Sequence, residues 1–268
     1  MRLWGVQNWI SFPVSAQRNV LQHLVTQAQY TEFGRKYKFS RLFTVKDFKN
    51  RVPIHEYDDL KPYINRMMAG EENILWNTPI YWFAKSSGTT SDKSKFIPIS
   101  AESLKDIHFK GSKDVLTNYY KNFPDSDLLT GKSLVVGGSH QVYSLDEDIQ
   151  YGDLSAVLMQ NTPFWGHWIR TPELSIALLD EWESKIEQLA RSTIHENVTS
   201  LAGVPTWTII LIRRILEISE KKTLKEVWPN LELYMHGGVS FTPYRDQIND
   251  LIGAPINYLE MYNASEGF

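Results

Sequence analysis

Cysteine is absent from all 268 residues. Its absence excludes disulfide scaffolds, cysteine-ligated zinc, iron–sulfur clusters and any thiol nucleophile. It also accords with a reducing compartment, so a cytoplasmic protein is expected. Long apolar runs are missing too. The longest stretch, Trp207–Ile212, stops at Arg213 and Arg214, far short of the roughly 20 apolar residues that cross a bilayer. The first ten residues hold Trp4, Val6, Trp9 and Ile10 but are interrupted by Gln7 and Asn8, unlike the continuous apolar segment of a secretory leader. Neither sign of charge dominates, since 28 Lys+Arg face 31 Asp+Glu for a net charge of −3. That balance argues against a nucleic-acid binder working through a broad basic field. Neither a nucleic acid nor a membrane is expected as a partner. The seven histidines include no i,i+4 pair and no ligand cluster, so no transition-metal centre is expected.

What is present describes a folded chain. Hydrophobic residues make up 42% and charged residues 22%, a globular balance. Helical and strand periods alternate, which indicates an α/β chain. Val20, Leu21, Leu24, Val25 and Ala28 recur at helical spacing, and Thr31–Arg35 then reads as a loop. Short helices are expected between Phe43 and Met68, the second starting near Asp58. Pro79–Lys85 and Phe96–Ile99 read as strands, and Pro98 favours an edge position for the latter. Ser100 suits the N-cap of a following helix, and Ser133–Gly138 is a short strand. The cap-then-proline pair Thr171-Pro172 predicts a helix whose stripe is Leu174, Ala177, Leu178, Trp182, Ile186 and Leu189. Val198–Val204 is a buried-strand candidate, and Pro205 opens an apolar helix ending near Glu220. Towards the carboxyl end, the strand Leu231–His236, a helix from Thr242 to Ile252 capped by Gly253, and the strand Pro255–Tyr262 compose a βαβ unit. Such a unit requires parallel strands.

The most informative segment is Ser86-Ser87-Gly88-Thr89-Thr90-Ser91-Asp92-Lys93-Ser94-Lys95. Six hydroxyl residues, one glycine and two lysines fall in ten positions between two strands. Phosphate oxygens need converging donors, and backbone N–H groups, hydroxyls and ammonium groups supply them. The same residue types also make ordinary solvated hairpins. This is not a Walker A loop, which has a second glycine and enters a helix. Nor is it a kinase glycine-rich loop, since Gly88 stands alone.

The order Ser-Ser-Gly-Thr-Thr, a few variable residues, then Lys resembles the phosphate loop of the adenylate-forming superfamily of firefly luciferase and the acyl-CoA synthetases. The longer string Ser86–Pro98 more closely resembles the auxin-responsive acyl acid–amido synthetase family. Ser91 departs from the glycine common there. Tyr262-Asn263-Ala264-Ser265-Glu266-Gly267-Phe268 resembles that family's second motif, about 170 residues on. Thr31–Tyr37, Val52-Pro53 through Tyr63-Ile64, and His236-Gly237-Gly238-Val239 fit it as well. The resemblance covers nearly the whole chain and is closest to the bacterial members.

The resemblance implies an adenylate-forming, luciferase-like α/β fold with parallel βαβ layers and helices. Residues 1–268 would be part of a large N-terminal acyl- and ATP-binding domain. The rest of that domain and a small lysine-bearing C-terminal domain would lie beyond the chain, so the segment alone is expected to be inactive. It further implies ATP and Mg²⁺ as cofactors, a carboxylic acid and an amino acid as substrates, and two steps: formation of an acyl-adenylate, then of an amide. No side-chain nucleophile is needed, because such chemistry is mostly positioning and charge stabilisation. Ser86, Ser87, Thr89, Thr90 and the Gly88 backbone would bind the β- and γ-phosphates. Lys95 would neutralise charge there, unless it is a solvated lysine on an edge strand. Glu266 would hold Mg²⁺, with Gly267 beside it, while Asn263, Ala264 and Ser265 line the nucleotide site. Gly237, Gly238 and Val239 would offer backbone to adenine or the acyl group, unless they only form a tight turn. The hydroxyl-rich hairpin and the acidic turn are expected to meet around one triphosphate. An acyl- or aryl-CoA ligase shares the adenylation half, and a non-catalytic nucleotide- or acyl-binding module remains a further alternative.

Overall fold

The structure, a computed structural model, describes residues 2–267 apart from 87–93, 138–141, 146–147, 165 and 180. Among the described residues the strands are β1 (Trp82–Ser86), β2 (Lys95–Ile99), β3 (Lys132–Val136), β4 (Val142–Ser144), β5 (Gln150–Gly152), β6 (Arg170–Thr171), β7 (Val198–Gly203), β8 (Leu233–His236) and β9 (Asn257–Glu260). The chain divides into two compact units. One takes residues 1–122, 143–151 and 265–267, and the other takes 123–142 and 152–264.

The first unit holds a sheet of order β2-β1-β5-β4. β1 and β2 run antiparallel, with Trp82 opposite Ile99 and Ser86 opposite Lys95. β2 is the edge strand, which tolerates Pro98 because one side of an edge makes no ladder bonds. A buried cluster of Ile64, Met67, Ile74, Ile80, Phe83 and Ile149 joins this sheet to the helix Tyr57–Met68. Ser100 caps the next helix by accepting the Ser103 N–H at 3.0 Å.

The expected loop at Thr31–Arg35 is instead the start of a short helix, Glu32–Lys36. Glycine lowers helix propensity, which hides the helix from a propensity reading, but Gly34 is there for packing. A Cβ on Gly34 would overlap the Ala28 carbonyl. Thr31 is fully buried, donates to the Ala28 carbonyl at 2.7 Å and accepts the Gly34 N–H at 3.0 Å. One hydroxyl thus ends one helix and caps the next.

The second unit is built on a five-stranded sheet of order β6-β3-β7-β8-β9. Every adjacent pair is parallel. Thr171, Leu134, Leu201, Tyr234 and Tyr258 line up across one face. The helices Trp182–Thr193, Pro205–Ser219 and Arg245–Ile252 contribute Leu189, Ile212, Ile215, Ile248 and Ile252 to the same core. Covering of parallel strands by crossover helices explains why β3 and β8 read as nearly continuous apolar runs. The βαβ unit at β8–β9 is as expected, and Gly253, at φ +79°, caps its helix in the left-handed region.

Thr171-Pro172 does not open the expected helix. Thr171 closes β6, and the anticipated stripe is split between the helices Leu174–Ala177 and Trp182–Thr193. Pairing with β3 outweighs the local capping signal here.

The contacts of Thr31 and Gly34 set a stability prediction. Thr31→Ala should cost about 1 kcal/mol through the lost cap, and Gly34→Ala about 1–3 kcal/mol through overpacking. Urea unfolding of each variant should show a lowered midpoint with an unchanged m-value. A wild-type midpoint for Gly34→Ala would show that the Ala28 carbonyl yields freely.

Candidate functional site

In the first unit, the two arms of the hydroxyl-rich segment are in place. Ser86 ends β1 and lies directly across from Lys95, which begins β2. Both are half-buried. Ser87, Gly88, Thr89 and Thr90 lie outside the described residues, as does Ser91. Among the described residues, Lys95 has no carboxylate within ion-pair distance. Its ammonium instead sits over the Tyr57 ring, 5.6 Å from the centroid.

Residues 265–267 belong to the same unit. Ser265 and Glu266 form a turn, and Gly267 adopts φ +96°, a conformation that suits glycine. A Cβ on Gly267 would approach the Ile107 side chain at 3.4 Å. Glu266 is exposed and makes no ion pair among the described residues. An uncommitted carboxylate is a hard oxygen donor of the type that Mg²⁺ takes alongside phosphate oxygens and water. The donor chemistry therefore fits that ion.

In the second unit, the candidate residues cluster at the carboxyl ends of β8 and β9. Met261 N–H donates to the His236 carbonyl at 2.7 Å, carrying the pairing of the two strands one step beyond the sheet. Gly237 follows, and any Cβ there would overlap the Met261 carbonyl. Gly238 has φ +80°, and Val239 is exposed. Two successive residues without side chains leave open backbone beside the segment that leads to Asn263 and Ala264. Gly237, Gly238 and Val239 follow the carboxyl end of β8, and Asn263 and Ala264 follow that of β9, the side of a parallel sheet on which ligands bind in open α/β folds.

Beneath this turn lies an aromatic group that composition alone did not reveal. His236 is buried and stacks on Phe241 at 4.0 Å between centroids, with an interplanar angle of 22°. Tyr258 lies 5.0 Å from Phe241. The Arg245 guanidinium covers both rings, at 5.2 Å and 5.8 Å. His236 Nδ1 is buried without a hydrogen-bond partner among the described residues. Burial pushes the imidazole pKa down, Arg245 pushes it the same way, and Glu260 opposes them. The neutral form of the ring is therefore favoured. Of these residues only His236 stood out in sequence, through its place beside Gly237. Tyr57 lay inside the string from Val52 to Ile64 without a visible role.

Residues 6–256 match the GH3 family N-terminal domain. The chain is similar to indole-3-acetic acid-amido synthetase GH3.2 of Arabidopsis thaliana, with 37% identity over 93 residues, 34% of this chain and 17% of that protein. The solved structure of GH3.15 acyl acid amido synthetase superposes with a TM-score of 0.77 at 17% identity, covering 98% of this chain and 56% of that one. An open conformation of 2-hydroxyisobutyryl-CoA ligase, in complex with 2-HIB-AMP and CoA, superposes at 0.52 with 13% identity, covering 94% of this chain and 53% of that one. At such identities the structural likeness is one of fold. The fold is thus the mixed α/β architecture shared by GH3 proteins and adenylate-forming acyl-CoA ligases. The chain spans about half the length of these solved relatives.

The buried imidazole gives a pH signature. Below its ordinary pKa near 6.5, the unfolded chain takes up a proton that the folded His236 binds less well. Stability contributed by this residue is therefore full above that value and declines as the pH falls towards the lower folded pKa. Between about pH 7.5 and about pH 5.5, urea unfolding should show a smaller loss of stability in His236→Gln than in the wild type. Equal losses would mean that His236 titrates normally.

Proposed function

The chain belongs to the GH3 family, and from that premise we propose that the protein activates a carboxylic acid with ATP and conjugates it to an amino acid. The observation that carries this reading is the family match across residues 6–256. An amido synthetase among the curated relatives supports it. In the first step, a carboxylate oxygen attacks the α-phosphorus and the bond to the β-phosphate oxygen breaks, giving acyl-adenylate and pyrophosphate. In the second, the amino acid's amine attacks the acyl carbonyl, AMP leaves with the bonding electrons, and the amine proton is lost.

Residue roles follow from donor chemistry. Ser86, Ser87, Thr89 and Thr90, with the Gly88 backbone, donate to the β- and γ-phosphates. Lys95 offsets charge that accumulates on departing pyrophosphate. Donors aimed at such developing charge typically contribute ~10²–10³ in rate. Glu266 holds Mg²⁺, which supplies charge neutralisation on the phosphate oxygens when bound. Gly237, Gly238 and Val239 offer backbone to adenine or to the acyl group. Asn263, Ala264, Ser265 and Gly267 line the nucleotide. The reaction is placed in the cytoplasm, where ATP and free amino acids are available.

A second reading, an acyl-CoA ligase with a thiol acceptor, is supported by the fold likeness to 2-hydroxyisobutyryl-CoA ligase. It shares every adenylation step, and only the acceptor differs.

Two measurements on the intact protein test these roles. Glu266→Gln should reduce ATP–pyrophosphate exchange by about 10²-fold or more while leaving the urea midpoint near wild type. Undiminished exchange would remove the metal role. An acceptor screen, run with an acid that supports exchange, should yield an amide with at least one amino acid. A thioester with CoA, and no amide with any amino acid, would decide for the ligase.

A further inference from the structure

The string from Val52 to Ile64 has no part in the roles assigned so far, yet it places Tyr57 directly against the returning arm of the hydroxyl-rich segment. Tyr57 is the first residue of the helix Tyr57–Met68. That helix start is capped by the Asp59 carboxylate, which accepts the Glu56 N–H at Oδ2 at 2.9 Å. The ring packs against the cluster containing Ile64, Met67 and Phe83. Its position is therefore set by the helix start and by this cluster.

Two parts of this side chain make two different contacts. The hydroxyl accepts the Phe96 N–H at 2.8 Å and approaches the Phe96 carbonyl at 3.4 Å. β2 is an edge strand, so its outward N–H and carbonyl have no neighbouring strand. The Tyr57 hydroxyl takes the place that a strand backbone would fill. The ring, meanwhile, lies under the ammonium of Lys95, one residue away, at 5.6 Å.

A ring face holds an ammonium differently from a carboxylate. It attracts the cation through its quadrupole. It neither neutralises the charge nor uses up the three N–H donors. A lysine with a flexible stem is thereby kept at the mouth of the segment with its charge intact, and among the described residues no carboxylate competes for it.

We propose that Tyr57 is a positioning residue for Lys95: its hydroxyl fixes the β2 edge, and its ring holds the ammonium ready for the phosphates of ATP. The inference rests on the phosphate role given to Lys95 above.

The test is a double-mutant cycle in the intact protein, read as the KM for ATP in pyrophosphate exchange. Tyr57→Leu should raise that KM about 3–10-fold. Tyr57→Phe, which keeps the ring, should stay within about 2-fold of wild type while lowering the urea midpoint. In a Lys95→Met background, Tyr57→Leu should add nothing. Additive effects would overturn the proposal, because Tyr57 would then act other than through Lys95. An unaltered KM in Lys95→Met would instead overturn the phosphate role of Lys95 itself. A variant that also survives a folding defect is available. Phenylalanine at position 57 with increasing ring fluorination keeps its shape while its quadrupole weakens, so KM should climb along the series. A flat series would overturn the ring's part.

Discussion

The contact between the Met261 N–H and the His236 carbonyl fixes the geometry at the carboxyl ends of β8 and β9. It prolongs the β8–β9 pairing past the last sheet residues, so the two following segments leave the sheet side by side. That closeness leaves no room for a Cβ at position 237. Gly237 is therefore required by the neighbouring backbone alone. Gly238, in the left-handed region, turns the chain away immediately afterwards. The result is a strip of main chain exposed at Gly238 and Val239.

The first unit uses another device. Its hydroxyl-rich segment is anchored at the Ser86–Lys95 pair of an antiparallel hairpin. A hairpin has two arms but only one is internal to the sheet. The outer arm, β2, is an edge, and edges are the less determined part of any sheet. A tyrosine hydroxyl from a capped helix supplies the missing partner. Order at this edge thus comes from a residue outside the hairpin. The second unit repeats the arrangement with different chemistry, where Phe241, Tyr258 and Arg245 surround His236 immediately before the Gly237 turn.

Much of this was legible in the residues. The βαβ unit ending in β9 was clear because its signals are local: an apolar strand, Thr242-Pro243, then Gly253 after the last helical turn. The two strands were legible because apolar patterns flank a segment of turn residues, although Ser86 and Lys95, expected in the loop, are paired strand ends. Local signals failed where a distant partner decided the outcome. Thr171-Pro172 carries a helix-start pattern, but β3 draws Thr171 into the sheet. Thr31–Arg35 carries glycine and threonine, and only the Ala28 carbonyl shows why both suit a helix. Tyr57 acts on Phe96, 39 residues away, and no spacing rule connects such a pair. The burial of His236 likewise depends on Phe241, just before the 3-10 turn Thr242–Tyr244, and on Tyr258 of β9.

The division into two units carries a lesson for anyone who would take the protein apart. Strand β3 is laid into the second unit before the chain returns to the first for residues 143–151, and residues 265–267 return there once more. No single cut in the covalent chain releases either unit whole. Ribosomal synthesis meets the same order: the early sheet waits for strands made after the later sheet has begun. A truncation designed by counting residues from one end would remove pieces of both.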